Sequence, residues 1–180
     1  GDKISIIEVD GTTYTNQLFT IDDSSISGGS ASFTGTVNNP ENTFYAIYPY
    51  QTKFSSLKNN LATLQIPDAE YEAVANGFDK TEAIMAANVN SDGNMEFVHI
   101  GAFLKFTVSN DNIASIKIED DKDGKKPRIF GKTKIDLTNP IKLNGNDTGI
   151  EEITFKPASG YFSNSATYYL PIRSGRNLGV

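Results

Sequence analysis

The chain has 180 residues, of which 38% are hydrophobic and 11% aromatic. This composition can bury a core and argues against intrinsic disorder. The net charge of -6 argues against a nucleic-acid groove, because phosphate binding needs a concentrated basic surface. The chain contains no cysteine, which excludes disulfides and cysteine-ligated zinc, and no apolar run approaches the roughly 20 residues of a transmembrane helix.

Short runs of alternating apolar and polar residues predict β-strands along most of the chain. They are separated by turn sequences such as VDG, SISGGS and NSDGN, in which Gly supplies the positive φ of tight hairpins. Many short strands without a repeating helix between them indicate an antiparallel sandwich or barrel. The predicted strands are 3–9, 14–21, 31–37, 43–50, 61–66, 83–89, 95–108, 113–119, 128–137, 150–155 and 167–173.

Prolines and one helix-like segment interrupt this pattern. Proline cannot donate to a β-ladder, so we expect the strands containing Pro49 and Pro171 to lie at a sheet edge or to end there. The segment PDAEYEAVANG (67–77) begins with Pro-Asp and ends with Asn-Gly, which are helix boundary signals. Its apolar spacing is poor for a helix, so the residues leave a short helix and an extended form both open.

The stretch NMEFVHIGAFLKFTV (94–108) contains His99, the single histidine of the chain. Read with a period of two, it predicts a long strand with one buried face. His99 falls on the opposite face, and no motif supplies the partners that a metal centre or a Ser-His-Asp triad would need, so a structural or surface role is favoured. The residues expected to line the core are Val98, Ile100, Ala102, Leu104, Phe106 and Val108.

Two acidic stretches resemble calcium loops, EDDKDGKKPRIF (119–130) and NVNSDGNMEFVH (88–99). Their twelfth positions hold Phe130 and His99, where a bidentate Glu is needed, so both are interpreted as hairpin turns. We therefore predict no metal, no cofactor and no catalytic residue. A glycoside hydrolase stays open as the enzyme alternative, because the spacing of its carboxylates is a three-dimensional property.

Several tyrosines raise the possibility of a sugar-binding face. Aromatic residues in strands are more often core or cross-strand partners, so packing is favoured. The tyrosines concerned are Tyr45, Tyr48, Tyr50, Tyr161, Tyr168 and Tyr169.

An ordered set of motifs resembles the N-terminal domain of the fimbrillin-like family, which comprises pilus and surface proteins of Gram-negative gut and oral anaerobes. The motifs are TFYAIYPY, LQIP, GFDKTEAIMAA, MEFVHIGAFLKFTV, IASIKIE, FGKTKIDL and YYLPIRSG, in that order. Each motif alone is weak, and the order over nearly the whole chain carries the resemblance.

The resemblance implies a two-sheet, transthyretin-like antiparallel β-sandwich formed by residues 1–180 as one domain of a longer protein, incomplete at both ends. It favours the extended form of segment 67–77, with a brief turn near Asp79 to Glu82. It also implies a non-catalytic structural subunit of a cell-surface fimbria that is exported across the outer membrane. Such a subunit would assemble by β-strand exchange and support adhesion.

Strand exchange requires an unfilled strand position, which we expect beside 3–9 or 167–173. The side chains expected to border this groove are Ile4, Ile6, Ile7, Val9, Tyr168, Leu170 and Ile172. The expected partners are other pilus subunits, with host protein or glycan as further candidates, and no nucleic acid. The alternative function is a surface adhesin that binds glycan or protein without polymerising.

Overall fold

A computed structural model describes residues 1–52, 54–66, 70–119, 130–138, 141–144, 149–150, 152–158 and 160–172. Over these residues the regular elements are all β-strands, which confirms the predicted all-β sandwich class. The strands are β1 (Lys3–Asp10), β2 (Thr13–Ser27), β3 (Ser30–Gly35), β4 (Thr43–Tyr48), β5 (Ser56–Lys58), β6 (Leu61–Ile66), β7 (Glu70–Glu72), β8 (Met85–Asn88), β9 (Val98–His99), β10 (Ala102–Thr107), β11 (Ile116–Glu119), β12 (Phe130–Asp136), β13 (Lys142–Asn144), β14 (Gly149–Ile150), β15 (Glu152–Lys156) and β16 (Thr167–Ile172).

The described residues cluster into two compact units. The first, here the N-terminal unit, comprises 1–63, 84–99 and 135–142, and the second, here the C-terminal unit, comprises 64–83, 100–134 and 143–180. The single-domain organisation of residues 1–180 stays a prediction.

The N-terminal unit is built on an antiparallel sheet of strand order β3–β2–β1–β4–β8–β9. Gly28 and Gly29 join β2 to β3, and both have positive φ, 58° and 82°, as a tight two-residue hairpin turn requires. Asn59 and Asn60 join β5 to β6 in the same way, with φ of 52° and 57°. Asn tolerates this left-handed conformation better than other non-glycine residues, which explains its use at these positions.

Both faces of this sheet bury apolar side chains, and successive side chains of β1 point to opposite faces. Ile4 and Ile6 lie on one face and form a buried cluster with Ala46 of β4 and Ala87 of β8. Ile7, on the opposite face of β1, is fully buried. The central strand is therefore packed on both sides.

The C-terminal unit contains the sheets β10–β16 and β11–β15–β7. The pair of β15 with β7 is parallel, whereas β10 with β16 and β11 with β15 are antiparallel. Its core is strongly aromatic, and the rings of Phe162 and Tyr168 meet edge to face with centroids 4.8 Å apart. Such aromatic contacts add to the stabilisation from area burial.

The predicted continuous strand 95–108 is wrong in part. The chain bends at Ile100 and Gly101, where Gly101 has φ of 114°, and separates β9 from β10. Residues 98–99 pair with β8, whereas 102–107 pair with β16. Of the six residues predicted to line the core, Val98 and Ala102, on either side of this break, are exposed. Ile100 and Val108 are buried as predicted. Leu104 and Phe106 are partly buried and pack against the C-terminal core.

Segment 70–77 contains no helix, as the resemblance favours: residues 70–72 form β7, and 74–77 form a turn in which the N–H of Gly77 donates to the carbonyl oxygen of Val74 at 3.2 Å. Residues 67–69 lie outside the described residues. A second turn follows, in which the N–H of Glu82 donates to the carbonyl oxygen of Asp79 at 3.3 Å. Both proline predictions are confirmed. Strand β4 ends at Tyr48, before Pro49, and Pro171 lies in β16, an edge strand of the sheet β10–β16.

Candidate binding groove

The residues predicted to border a strand-exchange groove fall into the two different units. Ile4, Ile6, Ile7 and Val9 lie in β1, which pairs with β2 on one side and β4 on the other. No strand position beside β1 is open in this sheet of described strands, because β1 lies at its centre. A strand added to the N-terminal unit would therefore have to pair at another strand.

The second predicted set, Tyr168, Leu170 and Ile172, lies buried in β16. One edge of β16 pairs with β10. At the other edge, the N–H of Asn76 donates to Thr167 at 2.7 Å and the N–H of Tyr169 donates to Gly77 at 3.3 Å. Part of this edge is thus occupied by the chain itself, and a role for these residues in strand exchange stays a prediction.

The other residues singled out from the sequence are dispersed. His99 is exposed in β9, the last strand of the N-terminal sheet. Among the six tyrosines considered for a sugar-binding face, Tyr161 is exposed, Tyr168 is buried, and Tyr45, Tyr48, Tyr50 and Tyr169 are half-buried. They do not form an exposed aromatic platform.

A groove that the sequence did not predict lies in the N-terminal unit. It encloses about 610 Å³ on the face of the sheet that carries Ile6. Aromatic rings from neighbouring strands form its walls, since opposite residues of paired strands share a face of the sheet. The lining residues are Ile6, Phe19, Phe33, Gly35, Val37, Pro40, Asn42, Thr43, Phe44, Val89, Asn90, Ser91, Gly93 and Met95.

Gly35 is necessary for the shape of this groove. A Cβ at Gly35 would collide with the ring of Phe19 and lie 2.7 Å from the carbonyl oxygen of Leu18. The Phe19 ring therefore packs directly over the glycine backbone. Any larger residue at position 35 would push this ring out of place.

One rim of the groove is held by Glu8, which is 2% exposed. Its carboxylate accepts hydrogen bonds from the N–H groups of Asn38 and Asn39, at 2.9 and 2.8 Å, and from the side-chain amides of Asn38 and Asn42, at 2.9 and 2.8 Å. The amide of Gln17 adds a longer bond at 3.4 Å. These contacts connect the central strand to the loop that carries Pro40 and Asn42 into the groove.

The hydrogen bonds also set the charge state of Glu8. Burial by itself would raise the pKa of this carboxyl, but the donors from Asn38, Asn39, Asn42 and Gln17 outweigh burial and hold the pKa below its ordinary value. Glu8 is therefore ionised at neutral pH, with its charge satisfied by the rim loop. The sequence offered one signal for this role: in the strand KISIIEVD, Glu8 alternates with Ile4 and Ile6 and so shares their face.

Beside this loop, the rim continues in the turn between β8 and β9, as predicted for NVNSDGNMEFVH, because Val89 pairs with Phe44 of β4. The side-chain oxygen of Asn90 accepts from the N–H groups of Asp92 and Asn94, at 3.0 and 2.8 Å, and the N–H of Gly93 donates to the Asn90 carbonyl at 3.0 Å. Most of the other predicted calcium loop, residues 120–129, lies outside the described residues.

Among the described strands, β3 is the last of the N-terminal sheet on the side of the groove. The N–H of Ser32 donates to the Ser25 hydroxyl of the neighbouring strand at 2.7 Å. Because backbone direction alternates along a strand, the N–H and carbonyl groups of Ala31, Phe33 and Gly35 point away from β2. Strand β3 contains no charged residue and no proline, two of the means by which proteins protect an edge strand, although its pairing with β2 shifts register between Asp22 and Ser27.

The described part of the chain contains no group of three or more His, Asp or Glu side chains placed to hold a metal ion. In the same residues, no helix is long and apolar enough to cross a membrane.

Comparison with known proteins yields a structural likeness and no family assignment. No family model matches the chain, and no curated protein matches it. A solved structure that it resembles is that of a "putative cell adhesion protein" from Bacteroides uniformis, with a TM-score of 0.53 and 16% identity over 95% of this chain and 68% of that chain. At this identity the likeness shows a shared fold alone. Membership of the fimbrillin-like family stays a prediction.

Proposed function

We propose that this chain is a non-catalytic subunit of a cell-surface fimbria, which supports adhesion and assembles by β-strand addition. The Bacteroides uniformis structure supports a surface and adhesion role through its described function and its shared fold. The motif order supports the fimbrial assignment. The observation that carries strand addition is the edge of β3, which pairs with β2 on one side and with no described strand on the other, so an incoming strand could continue the N-terminal sheet.

Strand addition at β3 rests on backbone hydrogen bonds. Residues Ala31, Phe33 and Gly35 direct their donors and acceptors outward, and β3 is mostly exposed. A partner strand bonded there would continue the N-terminal sheet beyond β3. This location replaces the positions beside β1 that the sequence suggested.

The proposal is tested by Ala31→Pro in cells that produce the full-length protein. Proline at position 31 removes an N–H that points away from β2, so it should block a partner strand while leaving the β2–β3 ladder intact. We expect the variant to keep the melting temperature of the isolated chain and to lose surface filaments and detergent-resistant oligomers. Filaments are counted by negative-stain electron microscopy, and oligomers are measured on gels of unheated samples.

The matched control is Ala31→Ser, which changes the side chain but keeps the N–H, and it should assemble normally. If the proline variant folds and forms filaments at the level of the wild type, strand addition at β3 is wrong. If neither wild type nor variant forms filaments while the protein is exposed on cells, the alternative holds, namely a surface adhesin that binds protein or glycan without polymerising.

A further inference from the structure

The groove has a volume comparable with that of small-molecule sites. Its volume of about 610 Å³ falls within the range of ligand pockets, which is roughly 300–1,000 Å³. The rings of Phe19, Phe33 and Phe44 supply an apolar wall, and the loop held by Glu8 fixes one rim before any ligand arrives. A preformed rim lowers the ordering cost of binding.

The lining also restricts the charge of a ligand. Among the described residues that line the groove, none has an ionisable side chain. Glu8, behind the rim, already accepts hydrogen bonds from Asn38, Asn39 and Asn42 and is not available to a cation. A charged ligand would lose hydration without gaining a counter-charge, which is strongly unfavourable.

Two rim side chains keep hydrogen-bonding capacity that the fold does not use. Asn42 donates its amide N–H to Glu8, which leaves its side-chain oxygen as an acceptor. Asn90 uses its side-chain oxygen to hold the β8–β9 turn, which leaves its amide nitrogen as a donor. Both residues line the groove. A donor and an acceptor together suit a hydroxyl or amide head group.

We infer that the groove of the N-terminal unit binds an uncharged small molecule that has an apolar body and a hydroxyl or amide head. The apolar body lies against Phe19, Phe33 and Phe44, and the head bonds to Asn42 and Asn90. This inference goes beyond the proposed function and does not depend on it.

Binding is measured on the 180-residue chain with 1-N-phenylnaphthylamine, a neutral dye that fluoresces in apolar surroundings. We expect saturable binding at one site and displacement by hexanamide or hexanol. Hexanoate and hexylammonium, of equal chain length, should displace the dye roughly tenfold less effectively or worse, because each carries a charge.

NMR signals of the methionine methyl groups locate the binding site in the protein of wild-type sequence. The chain has two methionines, Met85 and Met95, and Met95 lines the groove. With 13C-methyl methionine, hexanamide should shift the Met95 resonance and leave the Met85 resonance unchanged. This measurement needs no substitution and so does not depend on the folding of a variant.

Three variants test separately the contribution of the apolar wall and that of the contacts to the polar head group. Phe33→Ala should weaken dye binding by roughly tenfold, since it removes one wall. Asn90→Asp keeps the oxygens that hold the turn but removes the amide donor and adds a charge, so it should weaken hexanamide more than the dye. Leu18→Ala, which changes an exposed apolar residue outside the groove, should bind like the wild type.

Several results would overturn the inference. These are the absence of saturable dye binding, equal displacement by hexanoate and hexanamide, or a Met95 resonance that does not respond. A Met95 shift that depends on protein concentration alone would assign the groove to a second copy of the chain. Displacement by extended peptides but by none of the six-carbon compounds would assign it to a protein strand.

Discussion

At the scale of single residues, two buried tyrosines in the C-terminal core differ in how their hydroxyl groups are satisfied. Tyr71 and Tyr168 are each 2% exposed. The Tyr168 oxygen accepts a hydrogen bond from the N–H of Ser163 at 2.8 Å, whereas the Tyr71 hydroxyl has no hydrogen-bond partner among the described residues. Burial raises the pKa of the Tyr71 phenol, and the negative charges of Glu82 and Asp79 raise it further, to a smaller extent. The phenol therefore stays neutral.

This difference predicts opposite effects of the same substitution. Tyr168→Phe should lower the free energy of unfolding by about 1 kcal/mol, because it removes a bond and leaves the Ser163 N–H without an acceptor. Tyr71→Phe should leave the free energy of unfolding unchanged or raise it, because it removes a buried hydroxyl that makes no hydrogen bond with the described residues. Urea unfolding of the two variants measures both. A larger loss for Tyr71→Phe than for Tyr168→Phe would contradict the assignment.

Single-residue positions were partly predictable from the sequence. A structural or surface position was predicted for His99, and it lies exposed in β9. The role of Glu8 was not predicted, because its partners Asn38, Asn39 and Asn42 follow it by more than 29 residues and no local pattern joins them. Contacts of this kind depend on strand pairing.

At the scale of elements, Glu8 connects strand β1 to the loop that forms one rim of the groove. Its pKa is held below the ordinary value, so folding favours the ionised form. The stabilisation is therefore fully present above the unfolded-state pKa, about 4.3, and is lost as pH falls through the lower pKa of the folded protein. Acidification should loosen this rim before the rest of the unit unfolds.

We expect Glu8→Gln to lower the melting temperature at pH 7, because a neutral amide places its own donors against those of Asn38 and Asn42. The difference from wild type should shrink as pH falls below the unfolded-state pKa of about 4.3, because the unfolded chain then binds a proton that the folded carboxyl, with its lower pKa, does not. Thermal melts of both proteins from pH 3 to pH 7 measure this. A difference that is constant over this range would show that the charge of Glu8 does not hold the rim.

The strand elements themselves were largely predictable, and the errors have local causes. Residues 3–9, 43–50 and 167–173 were predicted from alternation and correspond to β1, β4 and β16. Residues 95–108 were predicted as one strand because the alternation continues through Gly101. The φ of 114° at that glycine is incompatible with a regular strand, and hydrophobic periodicity does not reveal it.

At the scale of the whole molecule, alternation and turn chemistry were sufficient to predict an all-β antiparallel architecture, but not the order of strands in a sheet. The N-terminal segment was expected to border an open position, yet pairing with β2 and β4 places it at the centre of its sheet. The groove was not predictable for the same reason. Its lining comes from residues 6 to 95, and only the pairing of five strands brings them together.

The central claim, a surface subunit that assembles into filaments, is tested most directly by immunogold electron microscopy of intact cells that produce the full-length protein. Antibody is raised against the 180-residue chain, and cells lacking the gene serve as the control. The account predicts gold particles along filaments on unpermeabilised cells. Labelling that appears only after the cells are permeabilised would contradict it.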